Sequence, residues 1–188
     1  MPSEHEVREV VRAVLDGLLD GQPTVPAVET EVADRASTVA IGADHGGFVL
    51  KERIGFLLRE QGYEVTDVGT HSRESVDYPD FAHQVARLVG EGTCAAGIII
   101  DGAGIGSCIV ANKVPGVRAA LCYDVSSAKN SREHNHANVV TLGAGLIGEN
   151  LAWQIVEAWL TTPWEEGRHA RRVAKITEIE RAYSRGEE

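Results

Sequence analysis

The sequence predicts an α/β protein built on a five-stranded parallel sheet with helices on both faces. Three observations carry that prediction. From Thr38 onward, five short apolar runs alternate with longer helical patterns. Strands of that kind belong to parallel sheets covered on both sides. Polar or glycine-rich residues follow several of the runs, at the edge where open parallel sheets bind ligands.

The elements follow in chain order. Residues Ser3 to Asp20 read as an amphipathic helix, the core of an N-terminal unit at 1–21. Val7, Val10, Val11, Val14, Leu15, Leu18 and Leu19 share one face, and acidic and arginine residues fill much of the other. Ser3 and Glu6 have the spacing of a capping box. Gly17 weakens the helix, and Gly21 can end it. Residues 22–37 carry Pro23 and Pro26 without strong periodicity and read as a linker. The domain proper spans 38–188. Its first strand is Val39–Gly42, followed by a helix over Gly47–Gln61. A second strand, Glu64–Val68, precedes a helix over Pro79–Gly90. Gly97–Ile100 is the third strand, and a helix opens at Gly106 and continues to Asn112. Ala119–Cys122 is the fourth strand, with a helix over Ser126–Glu133. Val139–Leu142 is the fifth, with helices over Glu149–Leu160 and Glu166–Tyr183.

The stretch Ile98-Ile-Ile-Asp-Gly-Ala-Gly-Ile-Gly-Ser107 says most about chemistry. A strand ends, Asp101 follows, and three alternating glycines open a helix. Such a junction presents bare N–H groups to an anion, and Asp101 stands where a catalytic group would stand. Asp44, His45 and Asp124 also follow strands. Ser131-Arg-Glu-His-Asn135 precedes the fifth strand, so its arrival at the same site requires the chain to fold back.

Bulk properties narrow the function. A net charge of −10 argues against a nucleic-acid binder. No apolar run approaches the roughly 20 residues of a membrane span, and no secretory signal is expected. Three cysteines, Cys94, Cys108 and Cys122, lack C-x-x-C spacing and suit a reduced, cytosolic setting. Cys108 lies near the glycine loop but reads first as a small apolar residue.

Five motifs in order then resemble one family. They are Gly42-Ala-Asp-His-Gly-Gly-Phe48, Ser75-Val-Asp-Tyr-Pro-Asp80, Gly102-Ala-Gly-Ile-Gly106 with Ala111-Asn-Lys113, Ser131-Arg-Glu-His-Asn135, and Gly167-Arg-His-Ala-Arg-Arg-Val173. From about Thr38 to Ile179 the chain resembles type B ribose-5-phosphate isomerases and related sugar-phosphate isomerases. The resemblance implies a Rossmann-like three-layer α/β/α domain and a homodimer or dimer of dimers with sites between subunits. It implies aldose–ketose isomerisation of a phosphosugar through an enediolate, without metal or other cofactor. His134 matches the acid that protonates the ring oxygen, and an ordinary imidazole suits that task at neutral pH. Asn135, Asp44 and His45 match substrate contacts. Gly102, Gly104 and Gly106 match the loop whose N–H groups hold the enediolate oxygens. Arg168 and Arg172 match a phosphate clamp on one helix face.

Three positions depart from the family pattern. Asp101 stands where many members have a cysteine base; a carboxylate can serve if its surroundings suit the task. Ala103 replaces a threonine or serine, removing a hydroxyl associated with ring opening. Gly145 replaces an arginine, removing a phosphate contact. The resemblance implies ribose 5-phosphate and ribulose 5-phosphate as substrates, and Ala103 and Gly145 favour the alternative of another small sugar phosphate, such as a tetrose, deoxypentose or hexose phosphate. A catalytically silent scaffold of the same fold is the remaining alternative. The extension, through residues 3–20, is similar to the encapsulation peptides of bacterial microcompartment cargo, which dock on a shell or cargo protein. Docking on its own subunit stays open as well.

Overall fold

The computed structural model describes residues 38–184. The expected helix at 1–21 and the linker at 22–37 lie outside the described residues. The strands are β1 (Thr38–Ala43), β2 (Glu64–Asp67), β3 (Ala96–Asp101), β4 (Ala119–Leu121) and β5 (Val139–Gly143). The helices are α1 (Phe48–Glu60), α2 (Tyr78–Gly90), α3 (Ile105–Ala111), α4 (Val125–Asn135), α5 (Glu149–Thr161) and α6 (Gly167–Ser184). All strand pairs are parallel, in the order β2-β1-β3-β5-β4. The predicted α/β class and five-stranded parallel sheet are therefore observed.

The apolar runs are continuous because each sheet face has its own core. Ile98 and Ile100 of β3 pack with Ile41, Leu142, Ile54, Ile155 and Trp159 on one side. Ile99, between them, faces Ala40, Val85, Val89 and Val139 on the other. Each isoleucine is essentially inaccessible and contributes about 1.5–3 kcal/mol by burial. Lys51 of α1 is also fully buried, and its ammonium reaches Asp67 at 2.5 Å and Glu52 at 2.7 Å. Among the described residues, no helix is long and apolar enough to cross a membrane.

The strand order positions the site. The chain leaves β1 for β2 on one side, then crosses to β3 on the other. Connections that diverge in this way open a crevice at the carboxyl ends of the two neighbouring strands. Asp44 follows β1 and Asp101 ends β3, so both carboxylates come to that crevice.

Candidate active site

The carboxyl edge of the sheet forms one half of the site. Asp44 is buried, and its Oδ1 accepts the N–H groups of Gly46 and Gly47, each at 3.0 Å. That turn starts α1 beneath the loop. A side chain at Gly47 would put Cβ 2.2 Å from the Ile100 carbonyl oxygen, so α1 can start this close to β3 only with glycine. His45 is exposed, and its Nδ1 accepts the Val76 N–H at 3.2 Å. A backbone N–H only donates, so neutral His45 carries its proton on Nε2.

Asp101 organises the glycine loop. Its Oδ1 accepts the N–H of Ala103 at 2.8 Å and that of Gly104. Its Oδ2 accepts the Ser107 N–H at 3.1 Å and the Ser107 hydroxyl at 2.5 Å. A carboxylate offers about four lone-pair positions, and the loop fills them. The Gly104 N–H, expected to hold a substrate oxygen, is thus turned inward to Asp101. Gly102 is exposed and open to solvent, while Gly106 packs against the Tyr78 ring.

The loop is also pinned from the neighbouring strands. Tyr123 donates its hydroxyl to the Ala103 carbonyl at 2.7 Å, and Thr141 donates to the Gly104 carbonyl at 2.9 Å. The Gly145 N–H donates to the Gly102 carbonyl at 2.9 Å. Sequence reading missed Tyr123 and Thr141. Thr141 did leave a signal, a lone hydroxyl inside the apolar run Val139–Leu142. Gly104 has φ of 76°, and an added Cβ would lie 2.6 Å from Leu121 Cδ1 and 2.9 Å from the Leu142 carbonyl carbon. Gly104→Ala is expected to destabilise the domain by about 2–4 kcal/mol, read as a lower denaturant midpoint.

His134 and Asn135 lie elsewhere. Helix α4 starts at the carboxyl end of β4, where the Asp124 carboxylate caps the Ser127 N–H at 2.7 Å. Its 11 residues span about 16 Å back toward the amino edge of the sheet. Arg118, just before β4, donates from Nε to the Asn135 and His136 carbonyls at 3.2 and 2.9 Å and fixes the helix end there. One chain therefore does not bring His134 to Asp101. It gathers His134 instead with α6. The His134 ring stacks on His169, with centroids 4.2 Å apart and planes 6° from parallel. Glu165 Oε2 lies 3.7 Å from His134 Nε2 and 3.9 Å from His169 Nε2. Burial first, then the neighbouring His134 and Arg168, hold His169 below the usual imidazole range. Arg168 and Arg172 are exposed beside this stack. Asn135 lines a cavity of about 250 Å³ with Arg118, Asn112 and Ser131.

Among the described residues, two groups have the residue types of a metal centre. His134, Glu165 and His169 form the first, but parallel stacked rings cannot both aim in-plane lone pairs at one ion without turning. Arg168 Nε also donates to His169 Nε2 at 3.2 Å. In the second, Glu52, Asp67 and His71, the Lys51 ammonium already occupies both carboxylates. Cys108 is half-buried, donates to the Ala119 carbonyl at 3.5 Å, and has its thiol pushed up by burial. Burial takes Cys122 up to about 11. Both thiols are protonated at neutral pH, which suits packing rather than nucleophilic chemistry.

The candidate residues thus fall into two groups. One, at the carboxyl edge, holds Asp44, His45, Asp101 and the glycine loop. The other, at the amino edge, holds His134, Asn135, Arg168 and Arg172. Comparisons with known proteins identify the family. Residues 39–176 match the family described as Ribose/Galactose Isomerase. Ribose-5-phosphate isomerase B of Escherichia coli (strain K12) is 49% identical over 142 residues, covering 76% of this chain and 95% of that protein. D-erythrulose-4-phosphate isomerase of Pectobacterium atrosepticum is 44% identical over 140 residues, covering 74% and 92%. The solved structure of Clostridium thermocellum ribose-5-phosphate isomerase B superposes with a TM-score of 0.77 at 53% identity, covering 78% of this chain and 99% of that one.

Proposed function

Because this chain belongs to the ribose/galactose isomerase family, we propose that it interconverts ribose 5-phosphate and ribulose 5-phosphate. The observation that carries the reading is the pair of half-sites. A carboxylate under a loop of N–H groups stands at one edge of the sheet, and an imidazole with two arginines stands at the other. Each half supplies what the other lacks, so a homodimer or dimer of dimers would assemble a whole site from two chains.

In that site the arginine pair holds the phosphate, and His134 supplies a proton to the ring oxygen as the sugar opens. Asp101 then takes the proton from C2 to give the enediolate, the hydroxyl proton passes from O2 to O1, and Asp101 returns its proton at C1. For Asp101 to act, one lone pair must be released. The Ser107 hydroxyl on Oδ2 is the donor free to rotate away, because the three backbone donors are fixed by the loop. The N–H groups of Gly102 and Gly106 and the Nε2–H of His45 are donors that remain for substrate oxygens.

Proton NMR of ribose 5-phosphate with the purified protein in D2O tests the reading. Ribulose 5-phosphate should form, with solvent deuterium entering at C2 of the aldose and C1 of the ketose. Neither product nor exchange with any small sugar phosphate would leave the silent scaffold.

A second substrate has its own support. A four-carbon aldose 4-phosphate cannot close a five-membered ring, because its terminal oxygen carries the phosphate. It needs no ring-opening hydroxyl, and this chain has Ala103 at that position. The relative named for D-erythrulose 4-phosphate points the same way. A higher kcat/KM for the tetrulose phosphate than for ribulose 5-phosphate would favour it.

The N-terminal extension is read as a docking helix for a microcompartment shell or cargo protein, in a cytoplasmic enzyme. Its apolar stripe and linker support that reading. Removing residues 1–36 should leave kcat/KM within about twofold and abolish co-sedimentation with shell assemblies. Loss of folding or dimerisation on truncation would instead assign the helix to its own subunit.

A further inference from the structure

We propose that Asn130 is a positioning residue that holds the proton of His134 on Nε2. Its effect on rate rests on the reading of His134 as the ring-opening acid; its effect on the proton rests on geometry alone. Asn130 and His134 are four apart on α4 and so share one face. Asn130 Nδ2 lies 2.8 Å from His134 Nδ1. An amide nitrogen only donates, so Nδ1 accepts and the neutral ring carries its hydrogen on Nε2.

The other neighbours of the ring do not set the tautomer. Glu165 Oε2 lies 3.7 Å from Nε2, beyond hydrogen-bond reach. His169 covers the ring face and offers no group in its plane. The charged groups around the stack are Glu165 before α6, and Arg168 and Arg172 on α6. With its amide nitrogen toward Nδ1, Asn130 is thus the side chain that favours the hydrogen on Nε2.

The consequence is chemical. Proton donation to a ring oxygen requires hydrogen on the nitrogen that faces the substrate. Without a donor at Nδ1, the neutral imidazole exchanges between two tautomers, and one of them presents a bare lone pair. An amide also serves the charged ring, because turning it over brings Oδ1 to Nδ1–H. A carboxylate at the same position could only accept. It would draw the hydrogen to Nδ1 and leave Nε2 without one in the neutral ring.

Asn130 is exposed, so its substitution leaves the core untouched. The test compares full-length wild type with Asn130→Asp, using histidine-labelled protein and two-bond 1H–15N correlation at pH 8. Wild-type His134 should show its hydrogen on Nε2, and Asn130→Asp should move it to Nδ1 or retain both hydrogens. Turnover of ribose 5-phosphate above neutral pH should fall about tenfold in Asn130→Asp, with KM little changed. The neutral variant Asn130→Leu should show a mixture of tautomers and a smaller loss. Hydrogen on Nδ1 in the wild type would overturn the proposal. So would an Asn130→Asp spectrum identical to wild type, or a moved hydrogen with unchanged turnover. If wild type fails to turn over any sugar phosphate, the functional reading falls while the spectra still decide the tautomer.

Discussion

Mixing two inactive variants, Asp101→Asn and His134→Asn, and refolding them together should restore about a quarter of the wild-type rate. The arithmetic follows from two-fold symmetry. If each site takes residue 101 from one chain and residue 134 from the other, a mixed dimer has one intact site and one doubly altered site. Random pairing makes about half the dimers mixed, and each works at about half capacity. The expectation comes from topology. Asp101 ends β3 at the carboxyl edge, while His134 ends a helix that has run back to the amino edge. A site complete within one chain would show no recovery on mixing. Measuring activity against mixing ratio separates the two, since recovery should peak at equal amounts.

Asp101→Asn alone should lower kcat by about 10²- to 10⁴-fold, the range for loss of a general base. Deuterium exchange at C2 should fall with it. Stability should fall too, by about 1.5–3 kcal/mol for each bond to the charged group that is lost. Two such bonds are at risk, because the new amide nitrogen would face the Ser107 N–H or hydroxyl. The two losses can be separated. Ser107→Ala removes one donor and keeps the carboxylate, so it should cost stability and retain exchange. A folded Asp101→Asn variant that still exchanges the C2 proton would leave Asp101 as the organiser of the loop only.

The placement of the residues was legible where local pattern decides it. Every strand and helix of the described domain lies within two residues of its sequence-based range. The Ile98–Ile100 run reads as a doubly covered strand, and its residues do alternate between two cores. Asp44, His45, Asp101 and the glycines fall at the predicted edge. The state of those residues was less legible. Nothing in the order Asp-Gly-Ala-Gly says that the carboxylate is already filled by Ala103, Gly104 and Ser107. Asn130 carried no signal, because an exposed asparagine in a helix is ordinary until the ring beside it is seen.

Sequence by itself determined the order of elements, the covered parallel sheet and the edge that receives Asp101. Apolar runs and helical spacing are properties of a few consecutive residues, and chain connectivity then fixes which strand ends meet. Only the tertiary structure decided what those residues are free to do. The loop is held by Tyr123 and Thr141, 20 and 37 residues further along the chain. His134 is covered by a stacked ring from another segment. Such contacts depend on how strands and helices pack in space, and the return of α4 to the far edge separates His134 from Asp101 within one chain.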